Sequence, residues 1–197
     1  MGISSNSTSR RKTRRPHSLK AWRLLKRSIA FSCPFYQIAQ EEIRLPTDQI
    51  IDYYYVTIPP SVMVVPVTAK GRIVLLEQYR YPTKSFSYEL PGGNTQGKSP
   101  LATGRAELFE ETGYRARRWR PLGKFHPYSG MSDEVCHVYL ATDLTPGRGC
   151  LEEREFIQVI EMPIQEVYRT MERHRIRDGM TLASLLLARP FLGKKAL

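Results

Sequence analysis

Between Pro91 and Tyr114 the chain carries a Pro-Gly-Gly loop followed by a helix whose two ends are both written in the sequence. Ser99 is a residue type that caps helix N-termini, Pro100 suits the first helical position, and Gly113 suits the stop after Thr112. Inside that helix Glu107, Glu110 and Glu111 fall at i, i+3 and i+4, so three carboxylates share one face within about 5–6 Å of one another. Like charges this close repel unless water or a cation neutralises them. Carboxylate oxygens are ligands that Mg²⁺ favours, with water and phosphate oxygens filling the rest of its shell. Alone, the trio reads more readily as a solvated acidic face. The glycines tip the reading toward a ligand, because backbone free of side chains approaches a bound group closely. Gly104 within the helix costs roughly 1 kcal/mol relative to alanine, so packing there has to compensate.

The flanking sequence reads mostly as strands. Apolar runs and alternation place them at residues 35–44, 50–58, 61–67, 72–79, 87–90, 135–141 and 156–161, with Lys70-Gly71 as a hairpin turn. A short helix is expected from Ser18, with Leu19, Trp22 and Leu25 on one side, and two closing helices at 164–173 and 180–189. Strands interrupted by one central helix and closed by helices imply an α+β fold, a sandwich with a mixed sheet, and not a doubly wound parallel one. No apolar run approaches the length of a membrane span.

The formal charge of +11 is concentrated at one end: residues 1–40 hold nine of the 30 Lys and Arg and no acid. The other 157 residues, with 21 basic and 19 acidic groups, are close to neutral. A nucleic-acid partner is therefore not implied by the charge of the body. Residues 1–17 read as a disordered basic tail, for which a solvated tail, an organellar transit peptide, a nuclear signal and non-specific RNA contact all remain open. Cys33, Cys136 and Cys150 form no CxxC pair, so free thiols in a reducing, cytoplasmic setting are expected.

Read as a formula, Gly92, five residues, Lys98, seven residues, then Ala106-Glu107-Leu108-Phe109-Glu110-Glu111-Thr112-Gly113-Tyr114 resembles the signature of the Nudix hydrolase family. The segments 74–82 (VLLEQYRYP), 88–93 (YELPGG), 128–141 (YSGMSDEVCHVYLA) and 175–189 resemble its ADP-ribose pyrophosphatase branch. The resemblance implies an α/β/α sandwich over 61–197, preceded at 18–60 by strands that serve a homodimer. It implies hydrolysis of a nucleoside diphosphate linked to another moiety, ADP-ribose foremost, with Mg²⁺ as cofactor and Mn²⁺ as substitute. By the same resemblance Glu107, Glu111 and Glu110 ligate metal with a carbonyl of Gly92 or Gly93. Arg80, Glu89 and Gly93 line the diphosphate site, and Glu134 and Glu110 supply the catalytic carboxylates, Glu134 as the base for the attacking water.

Two signature positions depart from the pattern: Lys98 stands where Glu is usual and Ala106 where Arg is usual. Arg105 lies about 100° around the helix and does not substitute. The departures keep a second class of function in view, a nucleotide-sensing domain with weak or no catalysis. RNA 5′-end pyrophosphohydrolysis, with the tail holding the polynucleotide, is a third.

Overall fold

The computed structural model describes residues 21–147 and 156–193 of the chain; the expected tail at 1–17 lies outside them. Ten strands and three helices follow one another as β1 (Arg23–Ser32), β2 (Gln37–Arg44), β3 (Ile50–Thr57), β4 (Ser61–Pro66), β5 (Arg72–Arg80), β6 (Ser85–Glu89), β7 (Gly92–Asn94), α1 (Pro100–Thr112), β8 (Tyr114–Phe125), β9 (Cys136–Pro146), β10 (Ile157–Pro163), α2 (Ile164–Glu172) and α3 (Gly179–Ala188). They form three sheets, β1-β2-β3, β10-β5-β6 and β7-β4-β9-β8. The last is mixed: β4 and β9 run parallel, and β7 and β8 pair antiparallel to their neighbours. The expected α+β sandwich with a mixed sheet and N-terminal antiparallel strands is the fold found.

β4 is the centre of the core and is buried at all six positions. Successive side chains of a strand point to opposite faces, and β4 divides accordingly. Val62 and Val64 pack with Leu108 of α1 and Ala141 of β9. Met63 and Val65 join the larger cluster with Ile73, Leu75, Val138 and Leu185 of α3. Helices thus cover both faces of one strand. At Gly104 an added Cβ would stand 3.2 Å from methyls of both Val62 and Val64. The glycine that weakens the helix lets α1 close onto β4, which is the compensation its position demands.

The helix expected from Ser18 is not formed where the chain is described: Arg23–Ser32 is a strand, paired along its length with β2. Register shifts at Leu24/Lys26 and Ile29/Phe31 interrupt its alternation. Such bulges remove the period of two by which a strand is read from sequence, and five apolar residues were too few to establish a helical period against that pairing. The first sheet is joined to the body through β3, whose Val56 exchanges backbone hydrogen bonds with Met131 (2.8 Å) and Asp133 (3.2 Å).

Candidate functional site

α1 has the ends its sequence prescribes. Ser99 Oγ accepts from Ala102 N at 3.3 Å, Pro100 opens the helix, and Gly113 closes it in the left-handed conformation at φ 74°. This fixes the rotation of the helix, so that Glu107, Glu110 and Glu111 line one cleft of about 580 Å³ together with Arg80, Gly92 and Gly93. Two of the carboxylates lie against the glycine loop. Glu111, buried, accepts from Gly92 N at 2.9 Å. A Cβ on Gly93 would lie 2.2 Å from Glu107 Oε1, so only glycine permits that approach. Glu110 stands on the exposed side.

The loop is itself fastened from behind. Pro91 O accepts from Val64 N at 2.9 Å. Leu90 N donates to Thr181 Oγ1 at 3.0 Å, and Thr181 N donates to Asp178 Oδ2 at 2.7 Å at the start of α3. The cap of the last helix therefore holds the strand end that presents Gly92 to Glu111.

Arg80, at the end of β5, makes a two-point contact with Glu89 of β6: Nε to Oε1 at 2.9 Å and Nη2 to Oε2 at 2.5 Å. Gln78 Nε2 adds a third donor to Glu89 at 3.2 Å. The hydrogen bonds to Glu89 raise the Arg80 pKa against the opposing effect of partial burial, with attraction from Asp178 and Glu111 adding to them. Among the described residues Arg80 Nη1 makes no hydrogen bond, and Arg80 borders the carboxylate cleft. Fork-shaped guanidinium donors of this kind match phosphate oxygens.

Glu134 lines a smaller cavity of about 250 Å³ that also touches Arg80, Glu89, Glu111 and Gly92. Its segment is tethered to a greater degree than a sequence rich in small polar residues implies. Tyr53 Oη donates to Gly130 O at 3.2 Å, His126 Nδ1 contacts Glu134 O at 2.8 Å, and Ser132 Oγ accepts from Glu134 N at 3.3 Å. Every site residue expected from the sequence thus borders the larger cleft or the cavity beside it. Tyr53 also stands edge-on to Trp22, and Tyr55 is bonded to Glu41 at 2.8 Å within the first sheet.

As a cation site the donor set is hard oxygen, which suits Mg²⁺ or Mn²⁺. Among the described residues no three His, Cys, Asp or Glu side chains converge as a closed cage. Mg²⁺ is commonly held by one or two carboxylates with water and substrate phosphates, and Glu107 and Glu111 meet that requirement. Lys98 is exposed in the turn before α1, with its backbone N–H bonded to Thr95 O at 2.8 Å, and it borders neither cleft. Arg105 turns toward the Trp119 ring at 5.9 Å.

Asp178, Thr181, Gln78 and Gln96 enter the site without having been singled out from sequence. Asp178 was legible as a cap three residues before Thr181. That it faces Arg80 depends on where α3 docks, which local pattern does not encode. Gln96 carries a weaker signal: it stands in a turn with φ 47° and borders the carboxylate cleft.

Comparison with known proteins agrees with this geometry. The Nudix domain matches residues 57–183. The ADP-ribose pyrophosphatase of Bacillus subtilis (strain 168) is 31% identical over 154 residues, covering 77% of this chain and 83% of that protein. The methanol dehydrogenase activator of Bacillus methanolicus is 31% identical over 164 residues, 82% of this chain and 89% of its own. GDP-mannose pyrophosphatase of Yersinia pestis (strain Pestoides F) is 30% identical over 129 residues, 60% and 65% of the two chains. A crystal structure of an ADP compounds hydrolase superposes with a TM-score of 0.78 at 20% identity, over 92% of this chain and all of that one. The chain belongs to the Nudix pyrophosphatase family.

Proposed function

We propose that this protein hydrolyses the diphosphate bridge of a nucleoside diphosphate joined to another group, with ADP-ribose, giving AMP and ribose 5-phosphate, as the leading substrate. The observation that carries the reading is the meeting of Glu107 and Glu111 with the Gly92-Gly93 loop beside the Arg80–Glu89 pair. Similarity to ADP-ribose and GDP-mannose pyrophosphatases supports the diphosphate as the reacting group.

In this reading Glu107 and Glu111 hold the divalent cation, Mg²⁺ with Mn²⁺ as substitute, and Glu110 and the Gly92 backbone complete or orient the set. A bound cation supplies charge neutralisation of the diphosphate and a more acidic water. Arg80, oriented by Glu89, binds phosphate oxygens through Nη1 and fixes the bridge against the carboxylates. Gly93 leaves room for that approach. Glu134 takes the proton of the attacking water, whose oxygen bonds to phosphorus as the bridging oxygen departs.

Ala106 favours one further reading, a nucleotide sensor with little turnover, because it stands where the signature it resembles carries an arginine. A panel of ADP-ribose, ADP-sugars, GDP-mannose and nucleoside triphosphates with Mg²⁺ or Mn²⁺ separates the two. Hydrolysis is expected with the first group and an order of magnitude less with the triphosphates; binding of ADP-ribose without products would establish the sensor.

The first sheet supports a homodimer. Leu24, Ile29 and Phe31 of β1 and Tyr54 of β3 are all about half exposed, and a second copy of the chain covering them accounts for their exposure. Free Cys33 and Cys136 support a reducing compartment such as the cytoplasm, and no helix among the described residues is long and apolar enough to cross a membrane.

A further inference from the structure

The buried strand β4 carries a single hydroxyl, that of Ser61, and Ser61 borders the cavity of about 250 Å³ that Glu134 also lines. The residue is 3% exposed, and its Oγ has no hydrogen-bond partner among the described residues. A buried hydroxyl left unpaired costs stability, and alanine would fill the same space without that cost. The hydroxyl is accounted for by a group that enters the cavity.

Register shows what stands around it. Side chains alternate along a strand, so Ser61 lies on the face of β4 shared by Met63 and Val65, the face covered by α3. It pairs with Cys136 of β9, and its N–H donates to Val135 O at 3.0 Å, one residue after Glu134. Burial raises the Cys136 thiol, the Ser61 hydroxyl beside it opposes the rise, and the charges of Glu134 and Asp178 add to it. Both carboxylates thus act on the spot where Ser61 and Cys136 meet. The thiol is a weak donor and makes no hydrogen bond to the hydroxyl. Of the carboxylates at the cavity, Glu89 is committed to Arg80, Asp178 to Thr181 N and Glu111 to Gly92 N. Glu134 is fastened by its backbone at both N and O, and its carboxylate, uncommitted among the described residues, borders the cavity. The space has room for several waters at about 30 Å³ each, and a fixed water needs two or more polar partners. Ser61 and Glu134 supply two.

We infer that Ser61 Oγ is the second anchor of the water that Glu134 deprotonates; the inference rests on the diphosphate reading above. The water gives one hydrogen to Glu134 and the other to a hydrogen bond with Ser61 Oγ, which leaves a lone pair for phosphorus. As the water oxygen bonds to phosphorus, its proton passes to Glu134, and the bridging P–O bond breaks with the electron pair kept by the departing phosphate. Ser61 keeps its own proton throughout.

The test is steady-state hydrolysis of ADP-ribose with Mg²⁺ by the full chain, read beside thermal unfolding, for wild type and Ser61→Ala. The substitution is expected to lower kcat about tenfold, as loss of one hydrogen bond to the reacting water provides, with KM within about twofold of wild type. Its unfolding midpoint should not fall, because the hydroxyl bonds to no part of the fold. A kcat within about twofold of wild type overturns the assignment. So does a loss of kcat accompanied by a lower unfolding midpoint, which marks a structural hydroxyl, or a rise in KM alone, which marks contact with the substrate. Absence of AMP from the wild type removes the hydrolase reading and this assignment together; wild-type hydrolysis that Ser61→Ala leaves intact removes the assignment alone.

Discussion

Glu111 and Cys136 illustrate opposite uses of burial. Glu111 is buried but compensated by the Gly92 N–H, which keeps a carboxylate at the edge of the cleft available to a cation. Cys136, fully buried at the start of β9, has its thiol pushed up to about 11, chiefly by desolvation. A thiol with a raised folded pKa favours the native state below its unfolded pKa, and that contribution is lost as pH rises through the folded value. Stability should therefore decline between pH 9 and about 11, by at most about 1.4 kcal/mol per pH unit from this group. Urea unfolding across that range should show a shallower decline in Cys136→Ala. Tyr168, raised to about 12, adds a later limb that the substitution leaves in place.

At the scale of elements, the link from α3 to the glycine loop makes a sharper prediction. Thr181 is fully buried and its hydroxyl is the acceptor for Leu90 N. Thr181→Val keeps the shape and leaves that N–H unpaired, a loss of about 1–3 kcal/mol. Turnover should fall with it, through a weaker hold on Gly92 and Glu111, and the apparent Mg²⁺ requirement should rise. Thr181→Ser should restore both; full activity in the valine variant would show that the link does not reach the site. α1 was legible in sequence because each of its ends has a local chemical cause. β8 was not. Its half-buried Ala116, Trp119, Leu122 and Phe125 recur every third residue, matching neither a strand nor a helix. A register shift at Pro121/Gly123 accounts for part of this, and an edge position tolerates both the proline and the arginines. β1 was misread for the same reason, its bulges.

The whole molecule divides into a body that buries β4 on both faces and an N-terminal sheet whose β1 is exposed along its length. The acidic face of α1 was legible because a fixed helical spacing carries it, and Arg80, Glu89 and Glu134 were reached through the resemblance of the flanking segments. The contribution of Asp178 was not, since it arises where α3 meets the β5–β6 hairpin, about ninety residues apart in the chain. The exposed sheet predicts that the protein travels in light scattering with the mass of two chains. Replacing Leu24 and Ile29 together by lysine should give the mass of one. A wild-type monomer at micromolar concentration would contradict the dimer.

In the proposed reaction a cation held by Glu107 and Glu111 beside the Gly92-Gly93 loop promotes cleavage of a diphosphate. Release of AMP from ADP-ribose, followed with Mg²⁺ and with chelator for wild-type protein and Glu111→Gln, tests it most directly. AMP and ribose 5-phosphate are expected from the wild type only when the cation is present, with a fall of about 100-fold or more in the variant. Turnover that is indifferent to the chelator, or undiminished in Glu111→Gln, would contradict it.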